Sequence, residues 1–491
     1  MFRLIACMFL VFLSIAPVMA NDVDFDAEVF TVSVSPVGVT QWTTSQKNEN
    51  LLLSAAATGT AGDSYWLTFL EEDYTEAELW RLDAQGAMQW GIAAELWATL
   101  LAVDAQGQVL VAGSDFSSDY HFFLRQIAAD GQQLWQTEYV LEEGRWTATY
   151  DLRVDSAGAA YATGTVQIGK NEKSIDKFIP LIKFDADGQF QWMKLHQPDG
   201  EFNNGFCLAI DGAGNAIVAG YARTTDYDHF LIVLKYSSAG ELLWNEQLPL
   251  AQDYSGYAYG LAPQAVAVDE NDDIYVAAND GSPENGQMAR LIKYSSAGEW
   301  QWSAAIDEPG DDFAADVAVD GAGDVTIAGF CGPADDPQNI MLAKYDATGI
   351  QQWYKCLSGD YAGAYERFNG LALDGDDNIY AAGGIFTGND NDDAPPALLL
   401  YKFASTGEIL WNMSRDPGLN FSYSSPYSLA MTEAGNIVVN GYSCNFPDSM
   451  DDDDDAEEDD DTTDDDAADD DTTDDDTTDA DDDDDDDGCG K

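Results

Sequence analysis

Along most of the chain, short runs of alternating apolar and polar residues are broken by small clusters of Asp, Ser, Ala and Gly. Alternation with a period of two marks half-buried strands, and the clusters are turn chemistry. One such phrase returns seven times: "LAVDAQGQVLVAG" (101–113), "LRVDSAGAAYATG" (152–164), "LAIDGAGNAIVAG" (208–220), "VAVDENDDIYVAA" (266–278), "VAVDGAGDVTIAG" (317–329), "LALDGDDNIYAAG" (371–383) and "LAMTEAGNIVVNG" (429–441). Its copies start 51 to 58 residues apart. Another phrase runs between them, also seven times, from "LWRLDAQGAMQW" (79–90) through "LIKYSSAGEWQW" (291–302) to "LYKFASTGEILW" (400–411). Each phrase predicts two strands around a tight turn, with Gly or Asn where positive φ is needed, hence a β-hairpin. Two hairpins per period make a four-stranded antiparallel unit, and a repeat of this size predicts the blades of a β-propeller, an all-β fold.

Seven of the thirteen Trp close the second phrase at a constant offset from its Gly: Trp90, Trp135, Trp192, Trp244, Trp302, Trp353 and Trp411. Constant placement predicts that each indole packs one blade on the next, since a large ring buries enough area to fix that contact. Sugar-stacking platforms would not need a fixed distance from a Gly. Asp104, Asp155, Asp211, Asp269, Asp320 and Asp374 stand at the last strand position before the first-phrase turn, where a carboxylate caps free backbone N–H groups. Around Asp374 the oxygen ligands are as dense as in a calcium loop, with Asp376, Asp377 and Asn378 following. An EF-hand loop needs a later glycine than Gly375 and a closing Glu, so turn chemistry is the better account. Arg81, Lys183, Lys235, Lys293, Lys344 and Lys402 share one position of the second phrase, which predicts a repeated pairing, with a turn Asp of a neighbouring blade as partner.

On these residues the chain resembles two propeller families. The two phrases in succession are similar to the bacterial β-propeller repeats called SBBP, and endings such as "TGEILW" and "ATGIQQW" resemble the tryptophan-docking motif of quinoprotein-like propellers. The resemblance covers nearly all of 44–442 and implies a fold; both families host unrelated activities. Quinoprotein dehydrogenases also use an adjacent cysteine pair beside the cofactor, and none occurs here, so no cofactor is expected.

Blade count follows from the unmatched hairpins. The last first-type hairpin, 429–441, has no second-type partner after it, and the earliest second-type hairpin, 79–90, has only the degenerate "NLLLSAAATG" (50–59) before it. Joining the two ends closes a ring of seven blades with few exposed edges, and an eighth blade using residues 44–59 is the competing count.

Composition adds the flanks. "MFRLIACMFLVFLSIAPVMA" (1–20) reads as a secretory signal peptide; residues 21–447 form the propeller; 448–491 form a disordered Asp-rich tail. From residue 451 onward 25 Asp and 2 Glu against one Lys supply −26 of the formal charge of −69, leaving −43 on residues 1–450. A body so acidic should repel nucleic acid and anionic lipid. The tail should bind divalent cations diffusely and weakly, and Cys489 in the terminal "GCGK" is a candidate attachment point. Beyond the leader no segment is long and apolar enough to cross a bilayer. Cys207, Cys331, Cys356, Cys444 and Cys489 remain after cleavage, with no CxxC, so neither a zinc nor a thioredoxin-like site is supported. Cys331 and Cys356 fall on non-neighbouring strands of one predicted blade, which argues against bridging them.

Catalytic constellations are thin. His121, His196 and His229 lie on different predicted blades without HxH, HExxH or Ser-His-Asp spacing. The most variable loops, 164–180, 279–287 and 385–397, join the two hairpins of a blade and fall on one face, while aromatic-rich leads at 251–260 and 420–428 are expected at the opposite rim. The expectation is therefore an exported, monomeric, non-enzymatic propeller presenting a rim to a protein or glycan. The alternative is a polysaccharide hydrolase or lyase using loop carboxylates as acid and base.

Overall fold

The computed structural model describes residues 26–444 apart from 50, 71–76, 95–96, 116–120, 142–143, 172–173, 199–201, 225, 227, 252–261, 283–285, 333–337, 359–363, 388–397 and 416–422. The expected leader 1–20, the acidic segment 448–491 and Cys489 lie outside the described residues.

Thirty-two strands among the described residues assemble into eight four-stranded antiparallel blades, so the expected count of seven is corrected to eight. In chain order the blades are 51–94, 98–139, 144–196, 202–250, 263–306, 313–357 and 364–415. The eighth is composite: its two inner strands, Tyr423–Met431 and Ile437–Cys444, are C-terminal, and its two outer strands, Asp26–Val34 and Thr40–Glu49, are N-terminal. Registry runs from Ala27 opposite Cys444 to Val34 opposite Ile437. The miscount has a plain cause. Strand Leu51–Thr58 pairs with Ser64–Leu70 as a full first-type hairpin of blade 1, with Gly59 where six other blades have Asp, while the hairpin 26–49 supplies an eighth second-type copy with Ser33 in place of Lys.

The first strand of each blade packs against the first strands of both neighbours, so the first strands ring the propeller axis. Every first strand carries a β-bulge. Such a bulge bends and twists the strand, which lets eight of them surround the axis. Apolar residues of second and third strands are buried between successive blades, as with Ile217, Val233, Val276 and Ile292 between blades 4 and 5. Fourth strands form the outer wall with one exposed side, as in the alternating exposure of Leu242–Leu250.

Strand parity sorts the connections. Turns between strands 1 and 2 and between strands 3 and 4 share one face, and the strand 2–3 loops share the other with the linkers between blades. Tyr423, where the described part of the 420–428 lead begins, therefore lies on the face of the variable loops, which corrects the opposite-rim expectation there; 252–260 and 420–422 lie outside the described residues. Contacts between the two sets are explicit: Phe386 pairs with Tyr423, and Glu366 donates its N–H to the Gln338 carbonyl at 2.9 Å.

A disulfide joins Cys331 to Cys356, contrary to the sequence expectation. Cys331 ends strand 2 opposite Asn339, and Cys356 lies in strand 4 opposite Met341. The bridge crosses the start of strand 3, where Cys331 Sγ lies 3.6 Å from the Asn339 carbonyl and the two Cα atoms approach to 6.1 Å. Among the described residues no helix is long and apolar enough to cross a membrane.

Candidate functional site

The tight-turn face is occupied by its own repeat chemistry. Each motif indole lies on the turn glycine of the next blade and donates Nε1 to the carbonyl two residues before that glycine: Trp90 to Ala129 at 2.9 Å, Trp135 to Ala186 at 3.1 Å, Trp192 to Ser238 at 3.2 Å and Trp244 to Ser296 at 3.1 Å. Trp302 and Trp353 reach Ala347 and Ser405, and Trp411 crosses the chain ends to Pro36 at 2.9 Å. An eighth indole, Trp42, completes the ring on Ala84 at 2.9 Å. Sequence reasoning missed it, although Gly38 and Trp42 keep the spacing of Gly86 and Trp90.

The turn aspartates are equally committed. In each, Oδ1 accepts the N–H groups two and four residues on, as in Asp104 with Gln106 and Gln108, Asp155 with Ala157 and Ala159, and Asp269 with Asn271 and Asp273. In blades 4, 6 and 7 Oδ2 pairs with the lysine of strand 3 in the same blade: Lys235 lies 2.8 Å from Asp211, Lys344 2.8 Å from Asp320, and Lys402 3.0 Å from Asp374; in blade 2 Asp104 Oδ2 accepts from Gln126 at 3.0 Å. The expected pairing across blades is thus corrected to one within the blade. What crosses is a lysine hydrogen bond to the next turn, as from Lys235 to the Ser296 carbonyl at 3.2 Å. Burial pushes Asp374 up, but Asn378 and Lys402 outweigh it and hold the carboxyl down at about 2. Its extra neighbours Asp376 and Asp377 stay in the turn, Asp376 donating its N–H to Asp374 Oδ1.

The three histidines are not brought together. His121 and His229 begin the third strands of blades 2 and 4, where His229 Nδ1 meets the Tyr221 hydroxyl, and His196 ends the fourth strand of blade 3.

On the long-loop face, carboxylates tie linkers to loops. Asp280 accepts the Ala251 N–H at 2.6 Å and pairs with Arg290 at 2.6 Å; Asp311 accepts the Gln287 N–H at 2.9 Å; Asp312 accepts the Glu308 N–H at 2.7 Å. Burial, with Glu308, Asp307 and Asp311 adding repulsion, pushes Asp312 up to about 6 despite that bond. Asp312 is buried, which suits a staple at a loop base better than an acid meeting a polymer.

The axis carries a third set. Asp151 in blade 3 accepts its neighbour Leu152 N–H and, across to blade 4, the Leu208 N–H, each at 2.8 Å. Arg153 donates Nε to the Leu208 carbonyl at 3.0 Å and lies 3.2 Å from Asp151 Oδ2, with 57% of its side chain exposed. Asp316 in blade 6 repeats the carboxylate half: it accepts the Val317 N–H at 2.8 Å and the Leu371 N–H of blade 7 at 2.7 Å. Innermost strands have no further strand to pair with, so half their amides point at the axis, and these carboxylates satisfy two neighbours at once. None of the three residues stands in a recurrent phrase position that sequence reasoning singled out; the signal was the departure, charge where other blades are small or apolar.

No protein-family model and no curated protein matches the chain. Among solved structures it is similar to the β-propeller domain of the Trilobed protease from Pyrococcus furiosus, at 11% identity over 75% of this chain and 99% of that one, with a TM-score of 0.42. It is similar to the WD40 domain of SCAP from fission yeast, at 10% identity over 80% and 91%, with a TM-score of 0.38. A ulvan lyase described as a new family of polysaccharide lyase aligns at 10% identity over 73% and 93%, with a TM-score of 0.43. These are similarities of architecture and carry no activity.

Proposed function

We propose that the protein is an exported, non-enzymatic β-propeller that presents its long-loop face to a protein or glycan partner. One observation carries this reading: the tight-turn face commits its indoles to joining blades and its carboxylates to capping its own turns, whereas sequence variety is concentrated in the loops and linkers that share the other face. Variable loops on a rigid scaffold are where recognition is usually placed. Export is supported by the leader-like N-terminus and by the Cys331–Cys356 bridge, a bond at home in an oxidising compartment. On the same reading the paired phrases are SBBP-type repeats with a quinoprotein-like indole dock. Screening the purified full-length chain against glycan and extracellular-protein panels tests it. Saturable binding without product formation is expected; polysaccharide cleavage would replace it with the hydrolase or lyase reading.

A further inference from the structure

Aligning the eight innermost strands on their turn residue exposes two departures from the repeat. Two positions before the turn, seven blades have Ala and blade 3 has Arg153. Four positions before it, only blades 3 and 6 have a carboxylate, Asp151 and Asp316. Both carboxylates make the same pair of bonds, one to their own strand and one to the next blade. In blade 3 the guanidinium of Arg153 then covers the carboxylate and the Leu208 carbonyl together. In blade 6 the corresponding residue is Ala318, which ends at Cβ, and among the described residues no side chain donates to the Leu371 carbonyl.

Blade 3 thus displays, within the same chain, the group that blade 6 would take from outside. We propose that the axis-facing side of Asp316 is a subsite for a cationic hydrogen-bonding group of a ligand, a guanidinium or primary ammonium, held between the Asp316 carboxylate and the Leu371 carbonyl as Arg153 is held in blade 3. Charge agrees with geometry. Arg153 acts on both Asp151 and Asp316 but pairs closely with Asp151 alone, and among the described residues Asp316 has no ion-pair partner of its own. Burial pushes the Asp316 carboxyl up to about 6 even though the Leu371 and Val317 amides and Arg153 pull it down, the behaviour of a half-buried carboxylate that lacks a close counter-ion. The −43 of residues 1–450 concentrates cations at the surface and favours their arrival.

The test is calorimetric titration of the full-length chain at low salt with L-argininamide, putrescine and, as an uncharged control, acetamide. Either cation should show a saturable phase above the diffuse, salt-sensitive background, and acetamide none; preference for argininamide identifies a guanidinium source, preference for putrescine an amine source. Asp316→Asn and Ala318→Arg, the latter placing a tethered guanidinium on the carboxylate, should each weaken that phase at least tenfold and leave the background. A saturable phase unchanged in both variants overturns the proposal. Should either variant fail to fold, carboxyl-carbon NMR on the wild type decides: saturating argininamide must lower the titration midpoint of Asp316, and an unmoved midpoint overturns the site.

Discussion

At the scale of single residues, the repeat rests on backbone sites that only particular side chains accept. Gly107 and Gly188 both have φ of +74°, yet a Cβ on Gly107 would meet nothing within 4 Å, whereas one on Gly188 would lie 2.4 Å from the Trp135 ring. The pair separates conformational cost from indole docking. Gly107→Ala should cost about 1–2 kcal/mol through the left-handed backbone alone, and Gly188→Ala a further ~1–3 kcal/mol from the overpacked indole, read as a larger fall in melting temperature. Equal falls would show that the ring shifts at no cost. Asp272 and Asp377 occupy the same left-handed turn position without being glycine, at φ of 62° and 59°. Asp272 accepts the Gly212 N–H of the previous blade at 2.8 Å, and among the described residues Asp377 makes no such bond. Asp377→Gly should therefore stabilise by up to about 1 kcal/mol, while Asp272→Gly should not, a difference that scanning calorimetry on the two variants would resolve.

At the scale of the hairpin and blade, the sequence is legible because each turn repeats one solution to one problem: free N–H groups capped by Asp, positive φ met by Gly, an indole on the next turn. Those constraints are local, so they appear at fixed spacing. Where a copy solves the problem with other atoms, legibility fails. Gly59 gives blade 1 no carboxylate, and Asp63 pairs with Arg81 at 2.9 Å instead; blade 8 uses Thr432, whose hydroxyl accepts the Asn436 N–H at 3.1 Å. Gly59, together with Ser33 where other second-type copies have a basic residue, hid the eighth blade, though Gly38 and Trp42 kept its spacing. The axial carboxylates were hidden for another reason: Asp151, Arg153 and Asp316 gain meaning only once the first strands are known to adjoin. The turn pair also sets a pH response. Asp374, at about 2, lies below its ordinary value of 3.8, so its contribution to stability is complete above the latter and is lost as pH falls through the former. Lys402→Met removes one cause of that depression and breaks a pair with little solvent, at a cost of roughly 3–5 kcal/mol. The acid-unfolding midpoint should move to higher pH, and an unchanged midpoint would mean that Asn378 and the turn amides alone hold the carboxyl down.

At the scale of the whole molecule, the ring is closed by a blade whose strands come from both ends of the chain. Besides the ladder from Ala27 to Val34, the seam is held by the Trp411 dock on Pro36, by the Arg415–Glu28 ion pair at 3.2 Å, by the Glu433 N–H donated to the Thr60 carbonyl at 2.8 Å, and by a buried polar network. In the network Trp66 Nε1 donates to Thr31 Oγ1 at 2.8 Å and to Asn440 Oδ1 at 3.2 Å, and Thr31 donates to Asn440 Oδ1. Asn440 Nδ2 donates onward to Thr58 at 2.8 Å and Ser428 at 2.7 Å, so one side chain links both ends of the chain to blade 1. Asn203, equally buried in blade 4, donates Nδ2 to the Lys177 carbonyl of blade 3 and joins blades already continuous in sequence. Removing either amide leaves buried partners short of bonds, at about 1–3 kcal/mol for each group stranded. The consequences should differ in reach. Asn203→Ala should loosen blades 3 and 4 locally, since their neighbours still confine them. Asn440→Ala weakens the one junction the backbone does not span, where opening releases both ends and regains the loop entropy that closure had removed. Hydrogen exchange should therefore accelerate throughout 26–49 and 423–444 in Asn440→Ala, with blades 4 and 5 still protected. If the seam segments in that variant exchange as slowly as in the wild type, the ladder and the other seam contacts close the ring without the network.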